Sequence, residues 1–210
     1  MEDSNRMTTE DRINQFILAA ESILDPGRDV ILKNEKLKNW LKENNYFTAP
    51  ASTKYHGAYE GGLFDHSYQV YKRLLELTVN NGLQWERPES PFIIGMFHDL
   101  CKCDQYIKKE GFRSDIPGID IVQYNAGYHY EYNVNTLLKG HGSKSVMLLS
   151  QFMSLTEEEM LCIRYHMGPY GNEVEQKEEW AGYDLAIRKT GGLCLWANTA
   201  DMIASKLDGT

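Results

Sequence analysis

The chain has 210 residues, a length that suits one domain whose core needs no disulfides or structural metals. Its formal net charge of −8 offers no basic stripe to long nucleic acid, so we expect no such partner. No apolar run reaches the roughly 20 residues of a membrane-spanning helix, and the polar N-terminus resembles no secretory signal. We therefore expect one domain over residues 1–210, in the cytoplasm and without a membrane partner.

The cysteines are spaced for neither a disulfide framework nor a zinc finger. They are Cys101, Cys103, Cys162 and Cys194, and all lie within or beside apolar stretches. We expect reduced thiols that pack as small apolar side chains.

The residue pattern in the first part of the chain predicts two helices, which follow a frayed segment over residues 1–8. Thr8 and Asp11 match a capping box, which opens the first helix. The Pro-Gly pair at 26–27 is expected to end it, and a second helix is expected over about residues 34–44.

Two longer helices should follow a loop over residues 45–62. The third starts near Leu63 and carries His66 on its apolar face. The fourth has Ser90 as its N-cap and Pro91 at its first helical position. It is apolar nearly all round, so we expect it at the centre of the fold.

Residues 104–140 interrupt the helical rhythm. Alternation over residues 128–134 predicts a short strand, paired with a segment near residues 120–123. A helix should begin near Gly142, and a second one should follow the capping box of Thr156 and Glu159. The last helix is expected over about residues 193–207, after an exposed acidic loop at residues 171–179.

An adjacent pair, His98 and Asp99, ends the apolar run of the fourth helix. A buried carboxylate is costly unless it has a partner or a metal. Further candidate ligands lie on apolar faces or at helix ends elsewhere, namely His66, His141, His166 and Asp201. Alone, each could be a core histidine, a helix-end cation or half of an ion pair. Together they favour one metal site.

Imidazole and carboxylate ligands together suit manganese, iron, magnesium, nickel, cobalt or zinc. Six ligands exceed the needs of one catalytic zinc with an open position. They suit two divalent cations roughly 3.5–4 Å apart, with Asp99 as the natural bridge because it adjoins a ligand histidine.

The ordered set resembles the HD-domain superfamily of metal-dependent phosphohydrolases, over about residues 55–207. The matching segments are Gly62 to Ser67, His98 to Lys102, Gly140 to Ser145, Ile163 to Gly168, and Ala200 with Asp201. Cys101 stands where the family usually has glycine. The resemblance implies an all-α fold, a helical HD-domain bundle with a small β-hairpin insert over residues 104–140.

The resemblance also implies how the ligands divide. One cation would be held by His66, His98, Asp99 and Asp201, and the second by Asp99, His141 and His166. A water between the cations would attack phosphorus, and Lys102 would orient or neutralise the phosphate. Asp99 and Lys102 are thus the expected catalytic residues. The expected partner is a small phosphate ester, such as a nucleotide or a cyclic nucleotide.

Contacts to that substrate are expected from His56, Lys144 and His129. Tyr128, Tyr130 and Tyr132 would share one strand face, which could stack on a nucleobase or simply cover the helical core.

Three other functions fit parts of the pattern. The same ligand set could hold two irons in an oxygenase, or serve a non-catalytic metal-binding or sensing module. An exoribonuclease-like phosphodiesterase is a further alternative, which the acidic charge disfavours.

Overall fold

The computed structural model describes residues 6–111, 127–136, 138, 140–170 and 176–209. These residues are mostly helical, and within them a two-stranded antiparallel hairpin forms the only sheet. The expected helical fold with a small hairpin is therefore confirmed. None of the helices in the described ranges combines the length and the apolar character needed to cross a membrane.

The first half of the chain contains helices α1 (Thr9–Glu21), α2 (Gly27–Leu32), α3 (Glu35–Glu43), α4 (Gly62–Asn81) and α5 (Ser90–Phe97). The capping box of Thr8 and Asp11 is present. The pair at 26–27, expected only to end a helix, instead begins α2. Pro26 is its N-cap, where the missing N–H of proline costs no helical hydrogen bond. The N-cap of α5 is Glu89, one residue before the expected Ser90.

The second half contains β1 (Tyr106–Glu110), β2 (Tyr128–Tyr132), α6 (Gly142–Leu149), α7 (Glu157–Arg164), α8 (Gln176–Lys189) and α9 (Leu193–Ile203). A 3₁₀ turn over Leu100–Cys103 links α5 to β1, and a π turn over Ala204–Asp208 extends α9. The capping box of Thr156 and Glu159 opens α7, as expected.

The expected strand at β2 is present, and it pairs with β1, with Tyr106 opposite Tyr132. The pairing segment expected near residues 120–123 lies outside the described residues, as do residues 171–175 of the expected acidic loop. The remainder of that loop prediction is wrong, because α8 begins at Gln176. Acidic residues in the first turn of α8 and basic residues in its last turn interact favourably with the helix dipole. The acidic residues of this segment therefore mark the start of a helix and not a loop.

The core lies under α1, α4 and α5 and is rich in aromatic rings. Edge-to-face and tilted ring pairs join Phe16, Tyr46, Phe47, Phe64, Phe92 and Phe97. The hydroxyl of Tyr46 donates to the Met96 carbonyl at 2.5 Å, so the polar group of this buried ring is satisfied beside the end of α5. This packing fixes the chain immediately before His98.

Two glycines let helices approach more closely than a side chain would allow. A Cβ at Gly95 would lie 2.5 Å from the Cα of Tyr71, so α5 can pack this tightly on α4 only with glycine there. A Cβ at Gly142 would overlap the carbonyl oxygen of Arg164, where α6 meets the end of α7. The first contact brings His66 towards His98, and the second brings His141 towards His166.

Candidate metal centre

One end of the site is built by α4, α5 and α9. His66 and His98 are fully buried, and their Nε2 atoms lie 3.3 Å apart. Asp201, on α9, places Oδ1 3.0 Å from the His66 Nε2 and 3.9 Å from the His98 Nε2. Two imidazole nitrogens and a carboxylate oxygen therefore converge on one small volume, as ligands of a single cation would.

Asp99 lies between this group and a second pair of histidines. Its Oδ2 is 3.3 Å from the His98 Nε2 and 3.7 Å from the His66 Nε2. Its Oδ1 is 2.8 Å from the His141 Nε2 and 3.4 Å from the His166 Nε2. One carboxylate thus presents a different oxygen to each histidine pair, which is the arrangement that a bridging ligand requires.

Backbone carbonyls orient two of the rings. The His98 Nδ1 lies 2.8 Å from the Gly95 oxygen, and the His166 Nδ1 lies 2.7 Å from the Ile163 oxygen. Because a carbonyl only accepts, each Nδ1 carries the proton and donates it. The Nε2 lone pair of each ring is then directed at the centre, as in known histidine–metal sites.

His141 is held differently. Its Nδ1 faces the Cys101 Sγ at 3.4 Å, and its Nε2 faces the Asp99 Oδ1. Although these last two atoms are close, neither the His141 Nε2 nor the Asp99 Oδ1 has a partner in hydrogen-bond geometry, and both are buried. Buried polar atoms are rarely left unsatisfied. A shared cation would satisfy both, so these residues fit a metal.

The carboxylates of the centre are anionic. Burial raises the pKa of Asp99, but the charges of Lys102, His98 and His141 outweigh burial and hold that pKa well below its usual range. Burial likewise opposes ionisation of Asp201, but its hydrogen bond to His66 and the charges of His66, His166 and His98 together outweigh burial and lower its pKa. Anionic oxygens among imidazoles are the chemical form that a divalent cation requires.

Lys102 is buried beside the centre, with its Nζ 2.6 Å from the Asp99 Oδ2. Burial alone would lower the pKa of Lys102, but Asp99 raises it above its ordinary value, so the amine is charged. The 3₁₀ turn after α5 brings the lysine back to the carboxylate three positions earlier.

A cavity of about 580 Å³ lies beside Lys102 and His141. His56 lines it, and the His56 ring lies 4.9 Å from that of His66. Burial, followed by the charges of His66 and Lys102, lowers the pKa of His56 to about 3, so the ring is neutral near pH 7. Aromatic, sulfur-containing and amide side chains complete the walls, among them Tyr55, Gln105, Tyr106, Tyr132, Met167 and Tyr170.

Two residues that were expected to contact the substrate, Lys144 and His129, are engaged by other protein groups. Lys144 lines the cavity, but its amine is engaged by Asp104 and by the Thr136 hydroxyl. His129 does not line this cavity, because its Nδ1 faces the Gly111 carbonyl and its Nε2 faces Glu131 within the hairpin. Of the three tyrosines on β2, Tyr132 reaches the cavity.

For Cys101, the sequence predicted only packing as a small apolar side chain. Two groups of side chains could each hold a cation, one of them His66, His98 and Asp99, the other Asp99, Cys101 and His141. Within each group the ligand atoms lie within 4.8 Å of one another. The position of Cys101, two residues after Asp99 within the His-Asp segment, was the available signal.

No protein-family model, curated protein or solved structure matches this chain. A function for this chain is therefore inferred from its cluster of histidine, aspartate and cysteine side chains, which could bind metal within a helical fold.

Proposed function

We propose that this protein is an HD-type metal-dependent phosphohydrolase that hydrolyses a small phosphate ester, such as a nucleotide or a cyclic nucleotide. The observation that carries the proposal is the position of Asp99, which presents one oxygen to His66 and His98 and the other to the second histidine pair. Two cations bridged by one carboxylate are characteristic of hydrolytic phosphate chemistry.

The ligands divide between two cations in the manner that this position suggests. His66, His98, Asp99 and Asp201 would hold the first, and Asp99, His141 and His166 would hold the second. When bound, such cations polarise a phosphate and make a water acidic enough to act as a nucleophile at neutral pH. The carbonyl contacts of His98 and His166 keep their Nε2 lone pairs available for this task.

Lys102 supplies a fixed positive charge where the centre meets the cavity. It is a cavity-lining residue and also an ion-pair partner of Asp99, so its ammonium can contact a phosphate oxygen without moving far. Charge developing on the phosphate would be stabilised by this preorganised donor. His56 is neutral, and we assign it to substrate contact instead of proton donation.

The volume and the lining residues of the cavity favour a small-molecule substrate. Its volume of about 580 Å³ lies within the range of roughly 300–1,000 Å³ that is typical of small-molecule sites. Tyr106 and Tyr132 form an edge-to-face pair on its wall, with ring centroids 5.3 Å apart. Aromatic rings can stack on a nucleobase while the phosphate lies near Lys102. A polymer would need basic surface that the acidic chain does not supply.

The test is a panel of phosphomonoesters, nucleotides and cyclic nucleotides, assayed with manganese, nickel, cobalt or magnesium in the absence of oxygen. We expect phosphate release or ring opening from at least one small ester. Lys102→Met should lower kcat roughly 100-fold, the usual effect of removing one preorganised donor. Lys42→Met, which removes an exposed lysine on α3, is the matched control.

Two outcomes would reject the proposal. Oxygen consumption with an alcohol or diol substrate, without hydrolysis of any ester, would favour the di-iron oxygenase. Faster shortening of single-stranded RNA than of every small ester would favour the exoribonuclease-like alternative.

A further inference from the structure

Cys101 has no role in the proposed hydrolysis, although it is fully buried against the centre. Its backbone N–H donates to the Ser145 hydroxyl at 3.1 Å, which ties the 3₁₀ turn to α6. Its Sγ lies 3.4 Å from the His141 Nδ1. The cysteine therefore contacts the side of His141 that faces away from Asp99.

The histidines around Asp99 follow a common pattern. In His98 and in His166 the Nδ1 faces a backbone carbonyl while the Nε2 faces the centre. In His141 the Nε2 also faces the centre, at 2.8 Å from the Asp99 Oδ1. The partner of its Nδ1 is a sulfur where the other two rings have an oxygen.

The tautomer of His141 that cation binding requires places the ring proton next to Cys101. A neutral imidazole binds a cation through the lone pair of one nitrogen, and the His141 Nε2 is the nitrogen that faces the centre, 2.8 Å from the Asp99 Oδ1. The ring proton would then lie on Nδ1, 3.4 Å from the Cys101 Sγ, which can accept it.

We propose that Cys101 is a positioning residue, which accepts the Nδ1–H of His141 and so directs the Nε2 of that ring at the second cation. This inference rests on the two-cation centre of the proposed function. Because a thiol sulfur is a weaker acceptor than a carbonyl oxygen, His141 is the least firmly oriented of these three histidines. The second cation would consequently be the more readily exchanged of the two.

The test is a cobalt titration of the purified full chain, followed by isothermal calorimetry and by visible and near-ultraviolet absorption. Cys101→Ala should weaken the second cobalt site roughly 10- to 100-fold, as loss of a partner behind a ligand histidine usually does. The first site should keep its affinity. Cys101→Ser retains a polar acceptor and should restore much of the lost affinity. Cys194→Ala, which removes an equally buried thiol from α9, is the matched control and should bind both cations as the wild type does.

Each result separates positioning from other roles. A thiolate-to-cobalt charge-transfer band that disappears in Cys101→Ser would make the sulfur a direct ligand and would overturn the proposal. Unchanged affinity for the second cobalt in folded Cys101→Ala would overturn it as well. Equal losses in the alanine and serine variants would show that packing alone is responsible.

The binding measurement is independent of catalysis. Two cobalt sites with the expected Cys101 effect, but no hydrolysis of any ester, would reject the proposed function and keep the positioning role. Ester hydrolysis with unaltered cobalt binding in Cys101→Ala would do the reverse.

Discussion

Two buried groups of charged side chains, centred on Glu159 and on Asp99, differ in how their oxygens are satisfied. Glu159 accepts from Arg87 at 2.8 and 2.5 Å, from the Ser90 hydroxyl at 2.9 Å and from the Thr156 backbone N–H at 3.0 Å. Both of its oxygens therefore have donors. Asp99 has Lys102 at one oxygen, but its other oxygen faces two imidazoles without a hydrogen bond.

The difference separates a structural cluster from a candidate ligand cluster. A fully satisfied carboxylate fixes the start of α7 to the loop before α5, and it has no capacity left for a ligand. A buried carboxylate surrounded by nitrogen lone pairs has unused capacity, which a cation can fill. Burial of charge alone would not have distinguished the two, because both residues are almost completely inaccessible.

The largest expected effect follows from removal of the bridge. Asp99→Ala should lose most bound cation and reduce ester hydrolysis on the order of 10⁴-fold, since every other catalytic group depends on this residue. Metal analysis of the purified variant measures the first effect. Asp99→Asn keeps an acceptor for buried Lys102 and tests whether misfolding causes the loss. The control Asp184→Ala removes an exposed ion pair on α8. Full cation occupancy in both Asp99 variants would contradict the bridging assignment.

The opposite pattern is expected for the satisfied cluster. Glu159→Ala leaves Arg87 and Ser90 without their shared acceptor and should lower the free energy of unfolding by about 3 kcal/mol. Urea denaturation measures this change. The folded variant should still bind cations, because Glu159 does not contact the candidate ligands in the described contacts. If cation binding fell while stability stayed constant, the two clusters would not be separable in this way.

Within the ligand cluster, the two histidine pairs should respond differently. His141→Ala and His166→Ala should lower the cation stoichiometry from two towards one, because the second cation has three protein ligands in the proposed arrangement. His66→Ala should instead disturb the cation with four ligands. Inductively coupled plasma analysis after dialysis gives the counts. An unchanged count in both the His141 and the His166 variants would make these histidines structural.

The smallest expected effect lies at the surface, in the bidentate pair of Arg73 with Asp208. The Arg73 hydrogen bonds lower the pKa of Asp208 from 3.8 to about 2, against a smaller opposing effect of burial. This stabilisation is therefore present above pH 4 and is lost as the pH falls towards 2. Asp208→Asn should lower Tm by at most about 2–4 °C at pH 7, and thermal scans should show the difference shrinking below pH 4. A difference that grew with acidity would contradict the sign.

The helices with strong local signals could be predicted from the sequence. Capping boxes at Thr8 and Thr156 are short-range hydrogen-bond patterns, so neighbouring residues suffice to identify them. α2 has only six residues, too few for a periodic apolar face, and α8 begins among acidic residues that also suit a loop. These two helices depend on tertiary packing that no local pattern reveals.

The candidate ligands could be collected from their residue types, and the resemblance implied how they divide between two cations. The sequence could not predict the division of the histidine pairs between the two oxygens of Asp99. That division depends on distances between α4, α5, α6 and α7, which the close helix contacts determine. Cys101 was expected to pack as a small apolar side chain, and its burial agrees with that expectation. Its contact with His141 spans 40 positions in sequence and becomes visible only in three dimensions.

The two glycine contacts have a consequence for protein engineering. Metal–ligand distances tolerate deviations of only about 0.2 Å, whereas a methyl group at Gly95 or Gly142 would force neighbouring backbone to move by more. Neither residue carries a group that could bind a cation, yet each sets the spacing of one histidine pair. Gly95→Ala and Gly142→Ala should therefore each weaken one of the two proposed cation sites, while every candidate ligand stays in the chain.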